Sequence, residues 1–147
     1  MHQLTTNPIC YEAKYNQPAK FTVPKSGRIK HFKLVHVSGF ISCRLVVSHY
    51  DSRWGCGYYE NDEIMTAITD AKNNIITFHD ELKSRGYIKL PKENAKSKEL
   101  NLPLVSDRPY DVRNGQELRV WYTEDLTNGG DHDNGGRHCV HVFAKYC

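Results

Sequence analysis

The chain has 147 residues, of which 25% are charged and 39% are hydrophobic, as is usual for a single globular domain. Its formal net charge of +3 is too small to indicate a nucleic-acid-binding protein. No apolar run approaches the ~20 residues of a membrane-spanning helix. We therefore expect one domain over residues 1–147, in which residues 1–19 form an N-terminal extension.

The first half of the chain shows strand-like alternation. Residues 21–23 are β-prone and precede a turn of Pro, Ser and Gly. In the run that follows, residues 28–39, Phe32 and Leu34 share the face that we expect to be buried. Residues 40–49 are rich in β-branched side chains and are predicted to form its partner strand.

The second half continues with the same period of two. Residues 63–70 and 75–80 are predicted to form a hairpin, because Asp70 to Asn74 supplies turn-forming residues between them. Residues 117–123 and 137–146 alternate apolar and polar side chains and are predicted to be strands. No amphipathic helix of three turns is evident. The pattern predicts an all-β protein, an antiparallel β-sandwich or, as the alternative, a β-barrel.

The five cysteines indicate an oxidising compartment, because none of them lies in a CxxC or other tight metal-binding spacing. Cys43 and Cys56 are the expected disulfide pair, linking a strand to the loop after it. Among Cys10, Cys139 and Cys147 two can pair; we expect Cys10 with Cys139. The N-terminus lacks the apolar core of a signal peptide, so the chain is either cytosolic or a mature form numbered after cleavage. The cysteines favour the second interpretation, an extracellular, secreted protein.

The most unusual stretch is TEDLTNGGDHDNGGRHC, residues 123 to 139, between two predicted strands. It is about twice as long as a minimal hairpin connection, and excess loop length favours a functional role. Carboxylate and amide oxygens are ligands that Ca²⁺ prefers, and glycines let the backbone fold around an ion. The alternative is a solvated linker. The candidate metal ligands are Glu124, Asp125, Asp131, Asp133 and Asn134.

A second polar segment, DSRWGCGYYENDE, is rich in aromatic residues. Trp54, Tyr58 and Tyr59 could stack on the apolar C–H faces of a sugar, because aromatic side chains with a polar tip suit half-wet sites. Arg53 could orient a carboxylate. The alternative is that Trp54 fills one end of the sandwich.

The familiar catalytic motifs GxSxG, HExxH, GxGxxG and the Walker loop are absent from the sequence. No residue is therefore assigned a catalytic role, and we expect a protein that is not an enzyme. The alternative is a hydrolase with a histidine and carboxylate pair, for which His36 and His138 are the histidines to replace.

Two stretches, GRIKHFKLVHVSGFISC…WGCG and GQELRVWYTEDL…DNGG…HCVHVFAKY, carry a family resemblance. From Phe21 onward the chain resembles small secreted proteins of marine invertebrates, cnidarians especially. Those proteins share a central "LVHxSG…C" strand pair and a C-terminal "xxWYxEDL…DNxG…CVxVxA" hairpin. The resemblance implies an extracellular location and a β-rich domain, and it transfers no chemistry.

These observations favour a secreted, lectin-like module that binds carbohydrate or glycoprotein through a Ca²⁺-stabilised acidic loop. A second hypothesis is an extracellular structural protein that forms homo-oligomers crosslinked through Cys147. Neither nucleic acid nor a membrane is an expected partner.

Overall fold

The computed structural model describes residues 1–13, 17–43, 51–56, 63–77, 86–104, 108–123 and 135–147. Every regular element there is a strand, and none of those residues lies in a helix able to cross a membrane. The strands are β1 His2–Gln3, β2 Ile9–Glu12, β3 Ala19–Thr22, β4 Gly27–Gly39, β5 Ile41–Ser42, β6 Asp51–Ser52, β7 Thr66–Asp70, β8 Glu99–Pro103, β9 Tyr110–Val112, β10 Glu117–Tyr122 and β11 Arg137–Tyr146.

The strands form antiparallel sheets around one core. The larger sheet has the order β1-β11-β4-β8, with β2 also paired to β11 and β9 to β4. A smaller sheet has the order β3-β10-β7, and β5 and β6 form a short ribbon. The larger sheet curls like half a barrel, and inward side chains from both main sheets belong to one hydrophobic cluster. The predicted all-β class is confirmed.

The two long strands bury the faces that their alternation predicts. On β4 the buried side chains include Phe32 and Leu34, and on β11 they are His138, Val140, Val142 and Ala144. Successive side chains of a strand point to opposite faces, so one row fills the core while the other faces outward.

A β-bulge interrupts the pairing of β4 with β11. Cys139 lies opposite Ser38 while the next residue, Val140, lies opposite His36, so Val37 is the extra residue. A bulge bends the strand and increases its local twist. Beyond it, His138 pairs with Gly39, and His138 and His36 become neighbours across the two strands.

The chain turns away from β4 at Gly39, whose φ of 77° is left-handed. Ile41 and Ser42 then pair with β6. The prediction that residues 40–49 pair with the preceding strand is therefore wrong for the residues described. After the left-handed Gly39, the Phe40 amide donates to the Arg137 carbonyl and Ser42 pairs with Gly135, so the chain continues beside β11 instead of folding back on β4. Residues 44–49 of that prediction lie outside the described part of the chain.

The predicted hairpin turn forms as expected. Ile75 bridges Thr69, and the Asp70 amide donates to the Asn74 carbonyl at 3.0 Å. The Asp70 carboxylate accepts from the Lys72 and Asn74 amides at 2.8 and 2.9 Å. Such a local side-chain cap stabilises a tight turn.

Both expected disulfides are present, Cys10–Cys139 and Cys43–Cys56. The first joins residues that face each other on β2 and β11. The N-terminal residues predicted as an extension thus supply β1 and β2 of the main sheet, and the disulfide ties them to it.

Candidate functional site

The residues that flank the acidic segment are held on two sides of one end of the fold. Before it, the Thr123 amide donates to the Met65 carbonyl at 2.7 Å, and the Thr123 hydroxyl donates to the Gly86 carbonyl at 2.7 Å. After it, Gly135 and Ser42 exchange two backbone hydrogen bonds of 2.8 and 3.0 Å. The five predicted metal ligands, Glu124, Asp125, Asp131, Asp133 and Asn134, lie outside the described residues.

The aromatic segment leaves the fold at the same end. Cys56 is tied to Cys43, next to the Ser42–Gly135 pair. The Trp54 carbonyl accepts from the amide of Met65, whose own carbonyl accepts from Thr123. A continuous ladder of backbone hydrogen bonds therefore joins the start of both predicted loops. Tyr58 and Tyr59 lie outside the described residues.

Trp54 occupies a position that does not suit a stacking surface for a ligand. Its side chain is fully buried, and Nε1 donates to the Ser97 carbonyl at 2.6 Å. The ring packs edge-on against His138 with centroids 4.9 Å apart. Trp54 thus belongs to the core beneath this end of the molecule, which is the alternative that the sequence left open.

Arg53, the other described member of the predicted ligand site, lies at a surface cleft of about 260 Å³. Its Nη1 donates to the Lys96 carbonyl at 3.0 Å, which holds the guanidinium at the rim. The cleft lies between β4, the β5–β6 ribbon and the turn before β8. Its lining residues are His36, Gly39, Phe40, Asp51, Ser52, Arg53 and Lys96.

A chain of hydrogen bonds runs from this cleft into the core. His36 Nδ1 lies 2.8 Å from His138 Nε2, and His138 Nδ1 lies 2.9 Å from the Tyr11 hydroxyl. The Tyr11 hydroxyl in turn lies 3.1 Å from the Arg53 carbonyl and 3.3 Å from Thr66 Oγ1. The Thr66 hydroxyl donates to the Trp54 carbonyl at 2.9 Å. The polar groups buried below the cleft are thereby hydrogen-bonded, as buried polar groups must be.

Burial keeps the two histidines of this hydrogen-bond network, His36 and His138, neutral. The pKa of His138 is lowered to about 3, mainly by burial and additionally by the neighbouring His36 and Arg53. Burial also lowers the pKa of His36, with added effects from the charges of Arg53 and Lys98. For Tyr11, burial raises the pKa, so its hydroxyl stays protonated. A charged imidazole would have to lose its hydration inside the protein, and this favours the neutral form.

The arrangement lacks the relay of a hydrolase. His36 and His138 do meet, but they are bonded to each other rather than to a carboxylate. The nearby Ser52 hydroxyl accepts from the Gly55 amide at 3.1 Å and donates to the Ile41 carbonyl at 3.5 Å, so it faces backbone rather than a histidine. A serine nucleophile needs a base within hydrogen-bond reach. Among the described residues no group of three His, Cys, Asp or Glu side chains could hold a metal ion.

Most of the cleft was not identifiable from the sequence. Phe40, Asp51 and Lys96 had no motif that marked them, and His36 meets His138 only because the bulge at Val37 sets the strand register. The "LVHVSG" stretch was the one signal that pointed to this part of β4.

No family model matches the chain, and no curated protein matches it either. Among solved structures, the chain is similar to "AJLec from the Sea Anemone Anthopleura japonica", with a TM-score of 0.86. The two are 31% identical in sequence, and the match covers 99% of this chain and 96% of that one. This match agrees with the cnidarian resemblance of the sequence. Its identity and coverage show that the chain belongs to the same family as this sea anemone protein.

Proposed function

We propose that the protein is a secreted, lectin-like binding module that recognises carbohydrate, free or on a glycoprotein. The observation that carries this proposal is the end-to-end match to a sea anemone protein whose name marks it as a lectin. Two disulfides support an extracellular location. The family relationship and the absence of a catalytic relay among the described residues both favour a binding protein over an enzyme.

The positions of the flanking residues support a shared binding end. Thr123 and Gly135 bracket the acidic segment, while Cys56 and Glu63 bracket the segment that contains Tyr58 and Tyr59. Their hydrogen-bonded ladder and the Cys43–Cys56 disulfide connect the described flanks of both segments, which supports a shared site. Recognition residues commonly lie on loops carried by a rigid sheet scaffold.

We propose further that residues 124–134 bind Ca²⁺. The oxygen-bearing side chains of the segment include Glu124, Asp125, Asp131, Asp133 and Asn134, and glycines stand at 129 and 130 within it and at 135 and 136 directly after it. This donor chemistry fits a hard cation that takes six to eight oxygen ligands. Bound calcium would stiffen the segment and offer open coordination positions to sugar hydroxyls.

A thermal melt with calcium or with EGTA tests the calcium site. An ion that binds only the folded protein raises Tm once its free concentration exceeds Kd. We expect calcium to raise the Tm of the wild type and to leave the doubly substituted Asp131→Ala, Asp133→Ala protein unchanged. Asp111→Ala is the matched control, because this exposed carboxylate pairs with Arg28 at the opposite end of β4.

Binding to a glycan array tests recognition itself. We expect the wild type and Asp111→Ala to bind a defined subset of glycans in calcium, and the double variant to lose that binding. An array on which the wild type binds no glycan, with or without calcium, would contradict the proposed function. Binding that survives in both EGTA and the double variant would exclude the acidic segment as its site.

A role in assembly is compatible with the position of Cys147. This cysteine is exposed and belongs to neither disulfide, so its thiol is available to a second copy of the chain. We expect a dimer on non-reducing electrophoresis that disappears on reduction and in Cys147→Ser. A protein that stays monomeric under oxidising conditions would contradict this crosslink.

A further inference from the structure

The cleft beside β4 is lined by aromatic and polar side chains that suit a small polar ring. Its volume of about 260 Å³ lies just below the ~300 Å³ at which pockets for drug-sized ligands begin. Its lining includes Phe40, which follows β4, His36 on β4, and Asp51 and Arg53 on and directly after β6. An aromatic residue and polar residues therefore line one space suited to one sugar unit.

Phe40 is unusually exposed for a large hydrophobic side chain. Its relative exposure is 38%, and the other large hydrophobic side chains exposed among the described residues are Met1 and Val37. An aromatic ring on a cleft wall offers an apolar face with a negative quadrupole. The slightly positive C–H groups on one face of a pyranose ring match that surface.

The hydrogen-bond chain below the cleft determines what His36 can offer to a ligand. The Thr66 hydroxyl gives its proton to the Trp54 carbonyl, so towards Tyr11 it can only accept. The Tyr11 hydroxyl has one proton, and its possible acceptors are the Arg53 carbonyl, Thr66 Oγ1 and His138 Nδ1. We assign the proton to the Arg53 carbonyl, which can only accept. The Tyr11 oxygen then accepts from His138 Nδ1, which therefore carries a proton.

That assignment propagates outward to the cleft. A neutral His138 protonated on Nδ1 accepts at Nε2, so His36 must donate to it from Nδ1. The second nitrogen of His36, Nε2, is then an acceptor, and it makes no hydrogen bond within the described part of the chain. The cleft thus presents a neutral acceptor that selects a hydroxyl donor.

Arg53 and Asp51 complement this acceptor. Arg53 uses Nη1 on the Lys96 carbonyl, which orients the guanidinium and leaves N–H donors on its other nitrogens. Asp51, whose backbone pairs with Ser42, adds a carboxylate acceptor to the lining of the same cleft. A pair of neighbouring hydroxyls can donate to His36 or Asp51 and accept from Arg53.

We propose that this cleft is a second carbohydrate subsite, independent of calcium, in which a neutral pyranose unit stacks on Phe40 and hydrogen-bonds to His36 and Arg53. The inference rests on the proposed carbohydrate-binding function but not on the acidic segment. The cleft lies close to the described end of that segment, because Ser42, two residues after Phe40, is paired with Gly135.

Calorimetric titration in EGTA tests the subsite directly. The probes are methyl glycosides of glucose, mannose, galactose and N-acetylglucosamine, with sodium sulfate as an anionic comparison. We expect the wild type to bind at least one glycoside, Phe40→Ala to raise its Kd about tenfold, and Phe40→Tyr to retain it. Val37→Ala is the matched control, since Val37 is equally exposed on the adjacent bulge but does not line the cleft.

Outcomes for the two sites are separable. The subsite is supported if glycoside binding in EGTA is weakened by Phe40→Ala and unchanged by Asp131→Ala with Asp133→Ala. This holds whether or not calcium strengthens binding elsewhere. Glycoside binding that requires calcium and is indifferent to Phe40→Ala overturns the subsite and leaves the proposed function intact. Binding of sulfate without any glycoside overturns it as well, because the cleft would then recognise charge.

The protonation pattern gives a readout that does not depend on affinity. A long-range ¹H–¹⁵N spectrum of the imidazoles should show His36 protonated on Nδ1 and bare on Nε2, and glycoside should move the Nε2 resonance. A proton found on Nε2 of His36 in the free protein would overturn the assigned acceptor.

Discussion

The buried His138 should make the fold sensitive to acid. Its side chain is fully buried in the core, where Tyr11 and His36 bond its two nitrogens. Burial lowers its pKa from 6.5 to about 3. In the unfolded chain the imidazole takes up a proton near its ordinary pKa, whereas the folded protein does not. The unfolded state therefore binds more protons between these two values, and folding stability falls as the pH decreases through this window.

The size of the effect follows from the shift. One pKa unit corresponds to about 1.4 kcal/mol, so this histidine alone removes about 3 kcal/mol of unfolding free energy between pH 6.5 and pH 4.5. Carried down to pH 3, the loss reaches about 4 kcal/mol, which approaches the whole stability of many domains. Well above pH 6.5 the imidazole is neutral in both states, and the loss is absent.

Urea unfolding at pH 7 and pH 4.5 measures this loss. Other titrating groups also contribute, so the informative quantity is the difference between the wild type and His138→Gln, which keeps a polar side chain without a proton to gain. We expect the variant to lose about 3 kcal/mol less than the wild type across that interval. His141→Gln is the control, because His141 lies on the other face of β11 and contacts Thr5 at 3.0 Å. Equal losses in the wild type and His138→Gln would refute the reasoning.

Two further predictions concern packing and backbone. Trp54→Ala should lower the free energy of unfolding by about 3–5 kcal/mol, because it empties a fully buried site and leaves the Ser97 carbonyl without its donor. Urea unfolding measures this loss. A loss below about 1 kcal/mol would contradict the core position of the indole. Gly39→Ala should cost more than Gly115→Ala, since both glycines have a positive φ but only at Gly39 would the added Cβ collide with a backbone oxygen, that of Arg137. We expect about 1 kcal/mol at Gly115 from backbone strain alone and at least about 2 kcal/mol more at Gly39, and equal losses would argue against the collision.

The sequence predicted what depends on local patterning. Alternation identified the buried faces of β4 and β11, because a strand must place every second side chain in the core. Turn chemistry identified the hairpin at Asp70, where the side chain caps its own turn. Cys43–Cys56 was predictable because a strand and the loop after it were recognisable, whereas Cys10–Cys139 was a choice among three cysteines, since residues 1–19 were not recognised as strands.

The candidate site depended on contacts that no local pattern encodes. His36 and His138 are 102 positions apart and meet through a one-residue bulge, which a period of two cannot reveal. Trp54 looked like a ligand-facing ring because its neighbours are polar. Its position in the core became evident only with the Ser97 carbonyl that accepts its N–H group.

The backbone ladder through Trp54, Met65 and Thr123 has an evolutionary consequence. The residues that flank the two segments are bonded through main-chain atoms or a disulfide, so the segments between them can change in length and composition with little effect on the sheets. Homologous proteins could therefore diversify their ligand preference by exchanging these two inserts while inheriting one folding unit. Transplanting residues 124–134 from a relative with another sugar preference should transfer that preference along with them.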